Sequence, residues 1–328
     1  MLQRRHLLGL TAASIGGLAA PSLARAQTAW PNRSIRLVAQ FPPGGLVDTV
    51  ARLMAPMMAQ ALGQSVVVEN RAGAGGIIGT DVVAKAPADG YTLLVSHASV
   101  HVFSTATRPV LPFDPINDFT HMMHLVEAPN IILVRADSPF RNLEQLLAAA
   151  RTRPVRYGSS GIGSAPHLLG AMLSSEAQAP NLDHIPYAGS APAMQDVMAR
   201  NIECMVDPIT TNTQQMRDGS LRALAVSTPQ RLAAFPEVPT FAELGFPRLT
   251  SAQWLGISGP KGLPAPIVER VNAIMPGILA RPELAARFAD LQTMPRNPPP
   301  AGDAFVSIIR REITEWTAVA RQFNIVVG

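Results

Sequence analysis

The chain has 328 residues, 47% of them apolar and 15% charged, with a formal net charge of +4. That length favours two domains, each able to bury its own core. A single cysteine, Cys204, excludes an internal disulfide and any multi-cysteine metal site, and no basic run interleaved with aromatics points to nucleic acid.

The N-terminus reads as an export signal. Arg4-Arg5 precedes an apolar region from Leu7 to Ala20, and Ala24-Arg25-Ala26 has the small-residue pattern of a cleavage site. Residues 1–26 are therefore expected to be a signal peptide, cleaved after Ala26, which places the mature chain outside the cytoplasm. The arginine pair and the weakly apolar core lean toward the twin-arginine route. Gln3 stands where that route expects Ser, so the general secretory route stays open. Losing Arg4, Arg5 and Arg25 takes the formal charge from +4 to +1, and the mature chain is nearly neutral. No later stretch is apolar over the roughly 18 residues that a membrane-spanning helix needs.

Ile35 to Ala39 reads as a strand. Phe41-Pro42-Pro43-Gly44-Gly45 comes next, and then apolar residues at helical spacing from Leu46 to Leu62, with Gly63 placed as a C-cap. Prolines stiffen this strand-to-helix turn, and its glycines let a ligand approach the backbone. Unpartnered amides at the helix start suit a carboxylate or phosphate. Asp48 reads as a charge stabilising that helix start. Pro56 is expected to kink the helix by removing the bond to the Arg52 carbonyl.

Ser65 to Glu69 is the next strand. Asn70-Arg71-Ala72-Gly73-Ala74-Gly75-Gly76 turns into a helix over Ile77 to Ala86. Ile78 occupies the place of the third glycine of a dinucleotide fingerprint, which argues against a nucleotide. Tyr91 to Ser96 is a strand. His97 and His101 have i, i+4 spacing and His121 and His124 i, i+3 spacing. Neither pair has another ligand nearby, and alternation along a strand at 121–125 would put the second pair on opposite faces. No metal site and no cofactor is expected.

Ile131 to Arg135, a helix at Leu143 to Arg151 and a strand at Pro154 to Tyr157 read as a β-α-β step. Gly158-Ser159-Ser160-Gly161-Ile162-Gly163-Ser164 repeats the opening arrangement of strand, glycine-rich turn and helix. Ser164 is the N-cap of a helix over Ala165 to Ala177. Two such turns in separate halves of the chain are placed to grip one ligand from both sides. Ala188-Gly189-Ser190 is a third turn after Tyr187. It precedes a helix from Ala191 to Ala199 and a short strand, Met205-Val206-Asp207. Strands at Leu221 to Ser227 and Trp254 to Gly259 and helices at Ile267 to Leu279, Pro282 to Leu291 and Ala304 to Phe323 complete the chain. The alternation implies α/β architecture with mainly parallel sheets flanked by helices. Ser160 or Ser164 with His167 offers a secreted hydrolase as an alternative, but no acid stands ready to orient the histidine.

Several motifs together resemble the substrate-binding proteins of tripartite tricarboxylate transporters, the periplasmic Bug receptors. They are Trp30-Pro31, Phe41-Pro42-Pro43-Gly44-Gly45-x-x-Asp48, Glu69-Asn70-Arg71-x-Gly73-Ala74-Gly75-Gly76-x-x-Gly79 and Ala88-Asp89-Gly90-Tyr91-Thr92-Leu93-Leu94. Leu111-Pro112-Phe113-Asp114-Pro115-x-x-Asp118-Phe119, Tyr157-Gly158-Ser159-x-Gly161-x-Gly163-Ser164, Pro186-Tyr187-x-Gly189 and Trp254-x-Gly256 continue the series. The resemblance implies a two-lobed periplasmic binding protein of type II-like architecture, with its cleft between the lobes. Lobe 1 is expected to comprise 27–126 and 251–328, and lobe 2 to comprise 127–250. It further implies that the turn with Phe41, Pro43, Gly44 and Gly45 faces the turn with Ser159, Ser160, Gly161, Gly163 and Ser164 across the cleft, and Asp48 and His167 are further candidate ligand-binding residues. Backbone amides and bridging water would hold the ligand carboxylate there. Tyr187, Gly189 and Asp207 would line the second lobe, with Asp207 free to accept from ligand or water. His97 is a candidate for the distal part of the ligand. The expected ligand is a di- or tricarboxylate, an amino acid or an aromatic acid, delivered by a monomer to membrane permease subunits, with a ligand-sensing role in signalling as the other receptor reading. Arg200 replaces a common helix-ending glycine and is expected to end its helix differently. Gly44→Pro and Gly161→Pro are each expected to abolish binding in a folded protein by removing a donor.

Overall fold

The computed structural model describes residues 30–326, so the expected signal peptide lies outside the described residues. The first part of the chain runs β1 (Ile35–Ala39), α1 (Leu46–Leu62), β2 (Val66–Asn70), α2 (Ile77–Ala84), β3 (Thr92–His97) and α3 (Thr105–Thr107). The middle part comprises β4 (Phe119–Arg135), α4 (Leu143–Thr152), β5 (Val155–Ser159), α5 (Ala165–Glu176), β6 (Leu182–Pro186), α6 (Ser190–Met198), β7 (Cys204–Pro208), α7 (Thr213–Arg217) and β8 (Leu221–Val226). The chain closes with β9 (Ala252–Pro260), α8 (Ala265–Leu279), α9 (Pro282–Asp290), β10 (Met294–Pro295) and α10 (Asp303–Gln322).

The strands lie in the order β2-β1-β3-β9-β4-β7-β5-β6, with β8 and β10 also paired to β4. The flanks are parallel: β1 with β2 and β3, and β5 with β6 and β7. Around β4 the pairing is antiparallel, to β9 and β10 on one part and to β7 and β8 on the other. The stretch 131–157 is therefore not a parallel β-α-β step, because β7 lies between β4 and β5 and β4 runs opposite to both.

β4 is one strand of 17 residues rather than separate strands at 121–125 and 131–135. Phe119–Pro129 pairs with β9, and Asn130–Arg135 pairs with β7 and β8, so a single strand carries the chain from one half of the sheet to the other. Its register against β9 slips at Met122 and again at Leu125. An extra residue in a bulge reverses the facing of the residues beyond it. His121 and His124 thus share a face, with ring centroids 5.7 and 5.5 Å from that of Phe305, contrary to the alternation expected of a regular strand.

One core joins β1, α1, β3 and β9 with the C-terminal helices α8 and α9, through Leu37, Met54, Val95, Ile257, Met275 and Phe288. A second collects Ile132, Leu146, Tyr157, Leu173, Cys204 and Phe241 from the other half, with the end of α10 packed on it through Trp316 and Phe323. Cys204 is buried there, as a small apolar residue would be. α1 ends as expected at Gly63, in left-handed conformation with φ of +72°. Pro56 sits on its exposed face and the helix continues through it. Arg200 does not end its helix differently. It takes the left-handed geometry of a glycine cap, with φ of +67°, and Asn201 N–H closes the turn on the Asp196 carbonyl.

Candidate functional site

Strand direction places the two glycine-rich turns. β1 and β3 run parallel to each other and in the same sense as β4, because β9 is antiparallel to both β3 and β4. β5 and β7 run opposite to β4. His97, at the end of β3, pairs with Leu255, which pairs with Val126. From the other side, Pro208 at the end of β7 pairs with Asn130. All four strands therefore point their C-terminal ends at the crossing near residues 129 and 130. The turns after β1 and β5 thus both stand at C-terminal strand ends, where α/β sheets bind ligands.

The first turn is built by Asp48. Its buried carboxylate accepts from Gly44 N–H at 2.9 Å, Arg52 Nε at 2.9 Å and Asn70 Nδ2 at 2.8 Å, and Asn70 also donates to the Phe41 carbonyl. Burial alone would raise this carboxyl, but the donors of Arg52, Gly44 and Asn70 hold it below the usual range. Asp48 does more than balance a helix start: it folds the turn. The Gly44 amide is consequently engaged inside the protein and is not the outward donor expected of it. Among the described residues Gly45 N–H meets no protein acceptor, and Leu46 and Val47 have no intrahelical acceptor. Phe41 is half-buried, while Pro42, Pro43 and Gly44 are exposed at the rim.

The second turn is held in the same way. Gly161 N–H donates to Ser159 Oγ at 3.2 Å, and Gly163 N–H donates to His167 Nδ1 at 3.0 Å. Ser164 caps α5, accepting from His167 N–H while donating to the Gly161 carbonyl. Ser160 and Ile162 N–H meet no protein acceptor among the described residues. The His167 ring stacks on His184, centroids 3.8 Å apart, and His184 Nε2 meets Ser159 Oγ at 2.6 Å. Burial lowers the two rings to about 4 and about 3 respectively, the neighbouring imidazole adding to the effect at His184. His167 accepts from the turn, His184 is bonded to it through Ser159, and burial makes both poor general bases. Ser164 Oγ does not meet the His167 ring, so the hydrolase arrangement is not assembled.

The third turn adjoins the second through Tyr187 N–H, which donates to the Ser159 carbonyl. Tyr187 Oη donates to Asp196 at 2.6 Å. Gly189, with φ of +130°, leads into α6. Asp207 is fully buried and accepts from Ser190 Oγ, Thr211 Oγ1 and Asn212 Nδ2. Burial raises its carboxyl to about 6 despite those three donors. It is therefore the internal tie between the third turn and the segment after β7, not an acceptor open to ligand. The His97 ring lies edge-on to Phe41 of the first turn, centroids 5.6 Å apart. Sequence reasoning missed Asn70, His184, Ser190, Thr211 and Asn212. Asn70 stands inside one of the receptor-like motifs, Thr211 and Asn212 follow Asp207 closely in the chain, and His184 and Ser190 meet their partners only through the fold.

A separate cavity of about 550 Å³ involves Glu127, Arg248, Arg296, Arg311, Glu312 and Trp316. Each of these three arginines already pairs with a carboxylate, of Glu176, Glu127 or Glu315, so none of them is a free cation for an acid. No group of three or more metal-ligating side chains exists among the described residues.

Two lobes of helix-flanked sheet whose strand ends converge on one crossing define the periplasmic binding protein fold. Solved structures agree: the periplasmic binding protein BugD superposes with a TM-score of 0.83 at 33% identity, covering 90% of this chain and 99% of that one. An adipate-bound protein of R. palustris gives 0.84 at 30% identity, covering 90% and 99%. MatC of Rhodopseudomonas palustris, with bound malate, gives 0.81 at 30% identity, covering 88% and 99%. The family model described as tripartite tricarboxylate transporter family receptor matches residues 50–325, and the chain belongs to that family. It is 37% identical over 328 residues to a UPF0065 protein of the tcbD-tcbE intergenic region in Pseudomonas sp. strain P51, covering 98% of this chain and 95% of the relative. It is 34% identical over 309 residues to BugT of Bordetella pertussis, covering 93% of each. The protein is thus a periplasmic-type solute receptor and not an enzyme.

Proposed function

We propose that this receptor captures a small carboxylate-bearing metabolite between the turns Phe41–Gly45 and Ser159–Ser164 and delivers it to membrane permease subunits. The observation that carries this reading is the convergence of β1 and β5 on one crossing, with amides at Gly45, Ser160 and Ile162 left open to a ligand and no Arg or Lys in either turn. Helix-start amides stabilise an anion without a fixed cation. Relatives solved with malate and adipate support the ligand class. Lobe 1 is assigned to 27–126 with 251–328 and lobe 2 to 127–250, and the protein works as a monomer. Cleavage after Ala26 and delivery to the periplasm belong to the same reading.

The test is a thermal-shift screen of the mature protein against small organic acids, each paired with its uncharged amide. Binding to the native state raises Tm by mass action. One acid raising Tm, with its amide silent, is the expected result. Amides that stabilise as well as their acids would overturn the carboxylate cradle.

A further inference from the structure

His97 closes β3 and is 4% exposed, yet its Nε2 has no partner among the described residues. Its Nδ1 accepts from Ser99 N–H at 3.3 Å, which fixes the ring proton on Nε2. Ser99 is in turn tied by its Oγ to Gln253, and Gln253 to Asn130, so the ring is anchored to the crossing strands. Burial holds the ring neutral, pushing it down to about 3. A buried N–H that meets no acceptor is unfavourable until something supplies one.

Other unpartnered buried groups sit elsewhere. His101 and His124 lie with Trp254 beneath α10. Gln40 packs against Gly76 and Gly79 on the α2 side of the sheet. Of these histidines among the described residues, His97 alone presses on Phe41, in the first turn of the cleft.

We propose that His97 is a specificity residue. Its Nε2–H donates to a second oxygen of the ligand, remote from the carboxylate held by the turns. The preferred ligand is then a small acid bearing another carboxylate, hydroxyl or carbonyl, and not an acid with a purely apolar tail. This rests on the carboxylate-receptor reading above. A site that hydrogen-bonds a substrate oxygen rejects the analogue lacking it, because its own donor is left unpaired.

The experiment is calorimetric titration of the mature protein with malate, succinate and adipate and with butyrate, hexanoate and benzoate. These six probes separate acids with a second oxygen acceptor from acids without one. Wild type is expected to bind at least one of the first three, and at least tenfold more tightly than any of the last three. His97→Leu should erase that ratio by weakening the oxygen-rich acid alone. His97→Gln, whose amide nitrogen reaches near the Nε2 position, should restore most of it. A ratio unchanged in His97→Leu, or equal weakening of both kinds of acid in a folded variant, would overturn the role of His97 and leave the receptor reading standing. A tightest probe without a second oxygen would overturn the proposed class. Silence from all six in wild type, with Tm unmoved by any acid, would overturn both readings.

Discussion

Asp48 and Asp207 show how one residue type serves one end in two environments. Each stands behind a glycine-containing turn and accepts from three side-chain or backbone donors. Asp207→Asn would turn an amide N–H₂ toward groups that already donate. Leaving a buried donor unpaired costs about 1–3 kcal/mol. The variant is expected to lose both Tm and ligand binding, whereas Asp183→Asn, on an exposed residue of β6, should change neither by calorimetry. Gln40 makes the converse case. Its amide is fully buried with neither atom partnered among the described residues. Gln40→Met keeps the shape and removes the polar group, so a gain of roughly 1 kcal/mol is expected on the same principle. Urea denaturation measures it, and an unchanged or lower midpoint would mean that the amide is satisfied in solution. The Gly→Pro substitutions at 44 and 161 are less clean than expected. Gly44 and Gly161 have φ of +83° and +136°, which proline cannot adopt, so they would distort the turns and not merely delete donors.

Among the elements, β4 has the largest structural task. Its bulge at Met122 turns His121 and His124 to one face, against Phe305 of α10, and Trp254 of β9 joins them with its Nε1 donating to Glu312 at 2.6 Å. The helix lies close because Gly256 has no side chain. A Cβ there would come within 2.5 Å of the Phe305 ring and 2.9 Å of the Met123 carbonyl. Gly256→Ala is expected to lift α10 and cost about 1–3 kcal/mol by overpacking, read as a lower denaturation midpoint. At the end of α6, Arg200→Gly should act in the opposite sense. Relief of a left-handed non-glycine residue gives about 1 kcal/mol. The exposed pair with Asp137, 3.1 Å apart, contributes little against that. A lower midpoint for Arg200→Gly would show that the ion pair outweighs the backbone.

For the whole molecule, buried ionisable groups set the acid limit. His97, His101 and His184 are pushed down to about 3 and His121, His124 and His167 to about 4, in each case chiefly by burial. The unfolded chain takes up these protons near the ordinary value of 6.5, and the folded chain does not. Stability from these rings is complete above 6.5 and falls as pH drops from there toward 3–4. Asp207, raised to about 6, and Glu312, raised to about 7, act oppositely, since the folded state binds their protons first. Six imidazoles oppose two carboxyls, so Tm is expected to decline between pH 6.5 and 4. A Tm flat or rising over that range would contradict the burial of the histidines.

Most of the local architecture was legible in sequence because it rests on local causes. Helical spacing and Gly63 set α1, Ser164 sets the start of α5, and β-branched and apolar runs set the strands. The two glycine-rich turns announced themselves by proline and glycine, whose backbone limits act within a few residues. Tertiary structure alone decided what those turns do with their polar groups. Asp48 meets Asn70, Ser159 meets His184 and Asp207 meets Ser190 across 22, 25 and 17 residues. No periodicity encodes such meetings, so amides and carboxylates that looked free for a ligand are engaged by the protein itself. The antiparallel course of β4 was hidden for the same reason. Strand direction is set by which partners a strand finds in the sheet, and residues 119–135 find theirs in segments as distant as 252–260 and 294–295.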